Sequence, residues 1–77
     1  GGVYYMARRS VEVNNLRAIR YDAQRRVLEI QFHAGGIYQY LGVPAEVYRQ
    51  LLAAEQPKEY YERYIKHKYP ERHVLIV

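Results

Sequence analysis

Apolar and β-prone positions predict the first two strands of the chain, and the second of them alternates strictly with polar positions. Residues 27–32, Val-Leu-Glu-Ile-Gln-Phe, alternate cleanly, so that Leu28, Ile30 and Phe32 share one face. Strict alternation over this length is typical of a half-buried strand. The preceding segment 16–21 is apolar or β-prone at mixed spacing. We interpret it as another strand, with the mostly polar residues that follow it as a turn.

A short loop after the second strand predicts a β-hairpin. Residues 33–35, His-Ala-Gly, can close a three-residue loop with the glycine in the left-handed region. This register places Tyr38 opposite Ile30 and Tyr40 opposite Leu28, on the apolar face. A two-residue Ala-Gly loop would instead turn both tyrosines outward, because a slip of one residue reverses every side chain. The functional interpretation depends on this choice.

Two helices are predicted after the hairpin. The first extends from about Pro44 to Glu55, because proline suits the first helical turn and apolar residues recur at helical spacing. The second extends from Pro57 or Lys58 to about His67, before a Tyr-Pro pair that ends it. The apolar stripes are Val47, Tyr48, Leu51 and Leu52 in the first helix and Tyr61, Tyr64 and Ile65 in the second.

Together these elements predict an α+β domain, a three-stranded antiparallel β-meander packed on one face by two C-terminal helices. We expect residues 1–10 to form an N-terminal tail, 11–70 the folded domain and 71–77 a C-terminal tail or a short extra strand. Met6 is a candidate natural start, which leaves open whether residues 1–5 are native. The predicted core consists of Leu28, Ile30, Phe32, Tyr38, Tyr40, Val47, Leu51, Tyr61 and Ile65.

The composition changes this picture in two ways. Ten tyrosines stand against one phenylalanine and no tryptophan, so several hydroxyl groups must find partners at the edge of the core. The chain has no cysteine and no apolar run near the roughly 20 residues that cross a bilayer. We therefore expect a cytoplasmic domain without disulfides and without a membrane partner. The net charge of +4 is compatible with a polyanionic partner.

Few residues offer catalytic chemistry. Ser10 is the single serine, and the chain contains neither threonine nor cysteine, so a nucleophile beside an oriented base is not expected. The three histidines, His33, His67 and His73, lack the spacing of a metal site. We expect a protein that is not an enzyme and that needs no cofactor or metal.

The order of these features resembles the KTSC domain, a short module named for its occurrence at the C-terminus of some lysyl-tRNA synthetases and also found as a stand-alone bacterial protein. The resemblance covers about Val11 to Tyr69. It departs from the family pattern at residues 12–14 and 56–58. The family has no assigned activity, and the resemblance implies RNA binding as a hypothesis. The matching residues are Ile19 to Asp22, Leu28 to Phe32, Gly35, Tyr38 to Tyr40, Val43-Pro44, Val47-Tyr48, Leu51-Leu52, Ala54, Tyr60-Tyr61, Ile65 and Tyr69.

Basic and aromatic residues provide the candidate functional surface. Cationic side chains could bind phosphates while exposed rings stack on bases of single-stranded RNA. The alternative is a purely structural role. Tyr38 and Tyr40 would then belong to the core, and the basic residues would stabilise the end of the second helix. The candidate nucleic-acid-binding residues are Arg17, Arg20, Arg63, Lys66, Lys68, Tyr38 and Tyr40.

A second function is also compatible with the pattern. The sheet face away from the helices should leave Val27, Ile37 and Leu41 partly exposed, as a candidate contact surface. Together with the apolar tail 74–77, this face could bind another protein or a second copy of the chain. The sequence thus predicts a small binding module, with RNA as the first candidate partner and protein interaction or self-association as the alternative.

Overall fold

An antiparallel four-stranded sheet forms the centre of the domain in a computed structural model, which describes residues 16–33 and 35–74. The α+β class and the meander with two helices are confirmed, and of the two alternatives for 71–77 the short extra strand is observed at 71–74. The predicted tail 1–10 and residues 75–77 lie outside the described residues. In chain order the elements are β1 Leu16–Asp22, β2 Val27–Phe32, β3 Ile37–Leu41, α1 Ala45–Ala53, α2 Pro57–Tyr64 and β4 Glu71–Val74, and the strands lie in the order β1-β2-β3-β4.

The hairpin between β2 and β3 has the register predicted from the three-residue loop. Leu28 pairs with Tyr40 and Ile30 with Tyr38. The amide of Phe32 donates to the Gly36 carbonyl at 3.1 Å, which closes the ladder beside the loop. Because side chains alternate along a strand, this register turns both tyrosines toward the helices.

A β-bulge explains the mixed spacing of apolar residues in β1. Leu16 pairs with Phe32 and Ala18 with Gln31, so the register shifts at the residue between them. One extra residue in a strand moves the following side chains to the opposite face. Leu16 and Ile19 are consequently both fully buried on the helix side.

Tyrosine hydroxyl groups are built into the core at its boundary. The Tyr21 hydroxyl donates to the Val43 carbonyl at 2.5 Å, and its ring stacks on Tyr48 of α1 with ring centres 4.8 Å apart. Val43 is fully buried, although it was absent from the predicted core. The predicted core residues Phe32, Tyr38 and Val47 are only partly buried and pack against the buried set. The buried hydrophobic cluster consists of Leu16, Ile19, Tyr21, Leu28, Ile30, Tyr40, Val43, Leu51, Tyr61 and Ile65.

Both helices are shorter than predicted, and the chain after α2 returns to the sheet. Ile65 remains buried in the turn that follows α2, and His67 within this turn has a positive φ of 64°. The Leu41 amide then donates to the Pro70 carbonyl at 2.9 Å, which starts the pairing of β4 with β3. None of the helices in the described part of the chain is long and apolar enough to span a membrane.

The two glycines at the end of the hairpin loop, Gly35 and Gly36, allow a controlled test of packing at β3. Gly35 and Gly36 have similar positive φ values, 109° and 104°, which disfavour any side chain. A Cβ atom at Gly36 would lie 3.0 Å from Tyr38 Cε1, whereas one at Gly35 would meet nothing within 4 Å. We expect Gly35→Ala to lower the free energy of unfolding by about 1 kcal/mol and Gly36→Ala by about 2–3 kcal/mol. Urea unfolding checks this, and equal losses would show that the Tyr38 ring moves without cost.

Candidate nucleic-acid interface

A cleft between α2 and the sheet brings aromatic and charged side chains together. Its volume is about 390 Å³. We call it the α2 cleft. Strands β2, β3 and β4 supply its floor and one wall, and α2 with the following turn supplies the other. The residues that line it are Phe32, Tyr38, Lys58, Tyr61, Glu62, Lys66 and Glu71.

Aromatic rings in the α2 cleft hold one another in fixed orientations. Phe32 meets Tyr38 edge to face at 5.8 Å between ring centres and meets Tyr61 in the same way at 5.4 Å. Such T-shaped pairs are a favoured arrangement of aromatic side chains. The Tyr38 ring also stacks on His73, with centres 4.5 Å apart and planes 9° from parallel. His73 is exposed, so this pair ends in a ring that solvent can reach.

A buried chain of hydroxyl groups lies behind the cleft wall. The hydroxyl oxygens of Tyr40 and Tyr61 are 2.5 Å apart, and the Tyr40 hydroxyl donates to Glu71 Oε2 at 2.9 Å. Burial raises the pKa of Tyr40 far above its ordinary value, and its hydrogen bonds to Tyr61 and Glu71 act in the same direction. Burial also raises the pKa of Tyr61. Both phenols are therefore neutral at physiological pH.

Two lysines lie at the rim of the cleft with their charges accessible. Lys58 Nζ is 3.6 Å from Glu62 Oε2, one helical turn away, and both side chains are about half exposed. An exposed pair of this kind stabilises by no more than about 1 kcal/mol and is screened by salt. Lys66 is exposed in the turn after α2. Both ammonium groups can therefore bind an anion without disrupting the fold.

The structure separates the residues that the sequence grouped as one interface. Tyr38 and Lys66 line the α2 cleft together. Arg63 lines a separate depression of about 170 Å³ with Gln56, Glu59, Tyr60 and Tyr64. Lys68 is exposed in the turn after α2 but does not line the cleft. Tyr40 is completely buried, so its predicted role as a stacking ring is wrong and its contribution is structural.

Arg20 lies on the face of the sheet opposite the helices. There it donates to Glu29 Oε2 at 3.2 Å, Gln39 donates to Glu29 Oε1 at 2.9 Å, and Arg72 donates to Gln39 Oε1 at 2.7 Å. These four side chains form a polar row across all four strands. Arg17 is exposed on β1, the edge strand farthest from β4. Neither arginine of β1 lines the α2 cleft.

The same sheet face offers less apolar surface than expected. Ile37 is only 6% exposed, so the prediction that it lies partly exposed is wrong, whereas Val27 and Leu41 are partly exposed as predicted. The polar row occupies the centre of this face, and its Glu29 is 1% exposed. Among the described residues, Tyr64 is the one large hydrophobic side chain that is well exposed.

Sequence reasoning missed the contribution of β4 to the cleft. Residues 71–77 were predicted as a tail or a short extra strand, without a pairing partner, and Glu71 and His73 pair with Tyr40 and Tyr38 respectively. Lys58 was interpreted only as a residue near a helix start. The pairing of 71–74 with β3 would have identified these residues. An antiparallel neighbour fixes which side chains of the two strands lie side by side.

Comparison with known proteins places the chain in a family. The sequence model of the KTSC domain matches residues 13–69. The chain belongs to the KTSC domain family. It is 35% identical to a KTSC domain protein from Yersinia pestis of known crystal structure, with a TM-score of 0.82 over 90% of this chain and 97% of that one.

Two further relatives of this KTSC domain come from other organisms. An uncharacterized protein from Stutzerimonas stutzeri is 33% identical over 61 residues, which cover 79% of this chain and 86% of that protein. A protein from Tsukamurella paurometabola is 34% identical over 59 residues, which cover 77% of this chain and 88% of the relative. Their names assign no activity and mention no synthetase. The family inferred from the ordered motifs is confirmed, and the function has to be argued from the cleft.

The hydroxyl chain of this KTSC domain should act as one energetic unit. Tyr40→Phe leaves the hydroxyl of Tyr61, a residue that is 6% exposed, without its partner, so we expect a loss of about 1–3 kcal/mol in the free energy of unfolding. Tyr61→Phe should cost less because Tyr40 still donates to Glu71. In urea unfolding, the double variant should lose less than the sum of the two single variants. Tyr64→Phe, at an exposed residue, is the control, and additive losses would contradict the coupling.

Alkaline pH should destabilise the domain through the same tyrosines. In the unfolded chain a tyrosine ionises near its ordinary pKa of 10.0, whereas burial keeps the folded pKa values of Tyr40 and Tyr61 higher. Their contribution to stability is therefore complete below about pH 10 and is lost as pH rises above it, with a slope of about 1.4 kcal/mol per pH unit for each group. Urea unfolding between about pH 8 and 11 measures the fall, which should be shallower in Tyr40→Phe. Identical slopes in the two proteins would contradict this assignment.

Proposed function

We propose that this KTSC domain is a cytoplasmic, non-catalytic module that binds single-stranded RNA in the α2 cleft. One observation supports this above the others: aromatic rings and two lysine side chains line the same cleft. Binding of single-stranded nucleic acid requires both features, since rings stack on bases and cations neutralise the adjoining phosphates.

The size and order of the cleft suit a single nucleotide in an extended strand. A volume of about 390 Å³ admits one base with its sugar rather than a duplex. Phe32, Tyr38 and Tyr61 are already held by their mutual contacts, so little side-chain entropy would be lost when a base packs against them. The exposed face of His73 extends the Tyr38 stack and offers a place for the neighbouring base.

Charge supports the same proposal. The chain has a formal charge of +4. In the α2 cleft, Lys58 and Lys66 lie beside Glu62 and Glu71, and the two lysines would supply the cations for the phosphates of a bound strand. Arg63 and Lys68 are exposed on or just after α2 and can attract the strand at longer range. The resemblance to a module named for some lysyl-tRNA synthetases is the reason to test RNA before DNA.

Salt dependence and charge reversal test this function. We expect a fluorescently labelled eight-nucleotide RNA of mixed sequence to bind in anisotropy titrations, with a slope of log K against log salt of about −1.4 for two phosphate contacts. Lys66→Glu should weaken binding by about tenfold, because it removes one contact and adds a repulsive charge.

A neighbouring lysine supplies the control for net charge. Lys68→Glu changes the charge by the same amount, but Lys68 does not line the cleft, so its effect should be clearly smaller. DNA of the same sequence tests the preference for RNA. Equal effects of the two reversals would indicate a diffuse electrostatic attraction, and absence of binding at low salt would refute the proposal. Light scattering across a concentration series tests self-association, the alternative function.

A further inference from the structure

The outer side of α2 carries a second cluster of aromatic and charged side chains. They lie three and four residues apart, so they share one side of the helix. They enclose a depression of about 170 Å³ that is separate from the α2 cleft. We call this side the α2 stripe, and it consists of Gln56, Glu59, Tyr60, Arg63 and Tyr64.

Two tyrosines give the α2 stripe an ordered aromatic centre. The ring centres of Tyr60 and Tyr64 are 4.7 Å apart, and their planes are tilted by 41°. The Tyr60 hydroxyl donates to Gln50 Oε1 of α1 at 2.8 Å, which holds its ring in place. Tyr64 is 50% exposed. Tyrosine is enriched among the residues that dominate protein interfaces, because it buries a large area at a low cost in side-chain entropy.

The charges of the α2 stripe have opposite signs at its two ends. Glu59 lies in the first turn of α2, and Arg63 lies in the last turn. Both are exposed, and within residues 16–33 and 35–74 neither forms an ion pair. One acid and one base at similar distances from the middle of the helix make the stripe complementary to a second copy of itself when the two helices lie antiparallel.

We infer that two copies of this KTSC domain associate through an antiparallel pair of α2 stripes related by a twofold axis. The turn with Glu59 and Tyr60 in one copy then faces the turn with Arg63 and Tyr64 in the other, and the symmetry repeats the contact. Each glutamate meets an arginine, and the tyrosine rings pack between the two ion pairs. The inference does not depend on RNA binding, because the lysines of the α2 cleft lie off the stripe.

The contact is short, so the pair should be weak. Eight residues of helix extend about 12 Å, and the buried area falls below that of a standard stable interface. We expect a dissociation constant of about 0.1–1 mM. In sedimentation equilibrium without nucleic acid, the apparent mass should rise toward that of two chains as the concentration approaches about 1 mM.

Charge reversal on the stripe tests the antiparallel arrangement. Glu59→Arg places like charges opposite each other in its own dimer, and so does Arg63→Glu, so each variant alone should associate at least about tenfold more weakly. Arg63→Glu also lowers the net positive charge of each copy, so net charge alone would predict stronger association. When the two variants are mixed in equal amounts, both ion pairs form again between unlike copies, and association should return to about the original strength.

A third variant controls for the change in charge. Glu62→Arg makes the same change as Glu59→Arg on the side of α2 that lines the cleft, and it should leave association unchanged. All three positions are exposed, so the fold should persist, which circular dichroism checks. A chain that stays monomeric at about 1 mM would overturn the inference. Association that persists in both reversals, or a mixture that associates no better than its components, would overturn it as well.

Discussion

The burial of the Tyr40 hydroxyl is the constraint that links the rest of the structure. Tyr40 is completely buried in β3, and its oxygen bonds to Tyr61 of α2 and to Glu71 of β4. A buried hydroxyl without a partner costs about 1–3 kcal/mol, so the helix and the fourth strand have to meet at this point. A chain that contains ten tyrosines and one phenylalanine needs such arrangements, and Tyr21 makes another with the Val43 carbonyl.

The sequence predicts best those features of the fold that arise between residues near each other in the chain. The alternation in β2 and the short loop after it reduce the hairpin to two registers, because both act between neighbouring residues, and the structure has the one with the three-residue loop. The bulge in β1 could be inferred only as mixed spacing, since its position depends on pairing with β2. Strand β4 has the sequence Glu-Arg-His-Val, without an apolar pattern. It forms because the edge of β3 offers hydrogen bonds, which is a tertiary effect.

The candidate site was less predictable than the fold for a related reason. Charge and residue type identify cations along the chain but not the face on which each lies. Arg20 pairs with Glu29 on the far side of the sheet, whereas Lys66 lies in the cleft on the near side. The hydroxyl chain behind the cleft wall was beyond sequence reasoning, because Tyr61 and Glu71 belong to different elements and meet only through Tyr40.

The hydroxyl chain connects stability with recognition in this KTSC domain. The hydroxyl groups of Tyr40 and Tyr61 are held by a buried hydrogen bond, so the cleft wall is organised before any ligand arrives. Changes at Tyr40 or Tyr61 alter the core and the cleft together. Glu71 is exposed on an edge strand, and it is therefore the member of this hydrogen-bonded chain that solvent reaches.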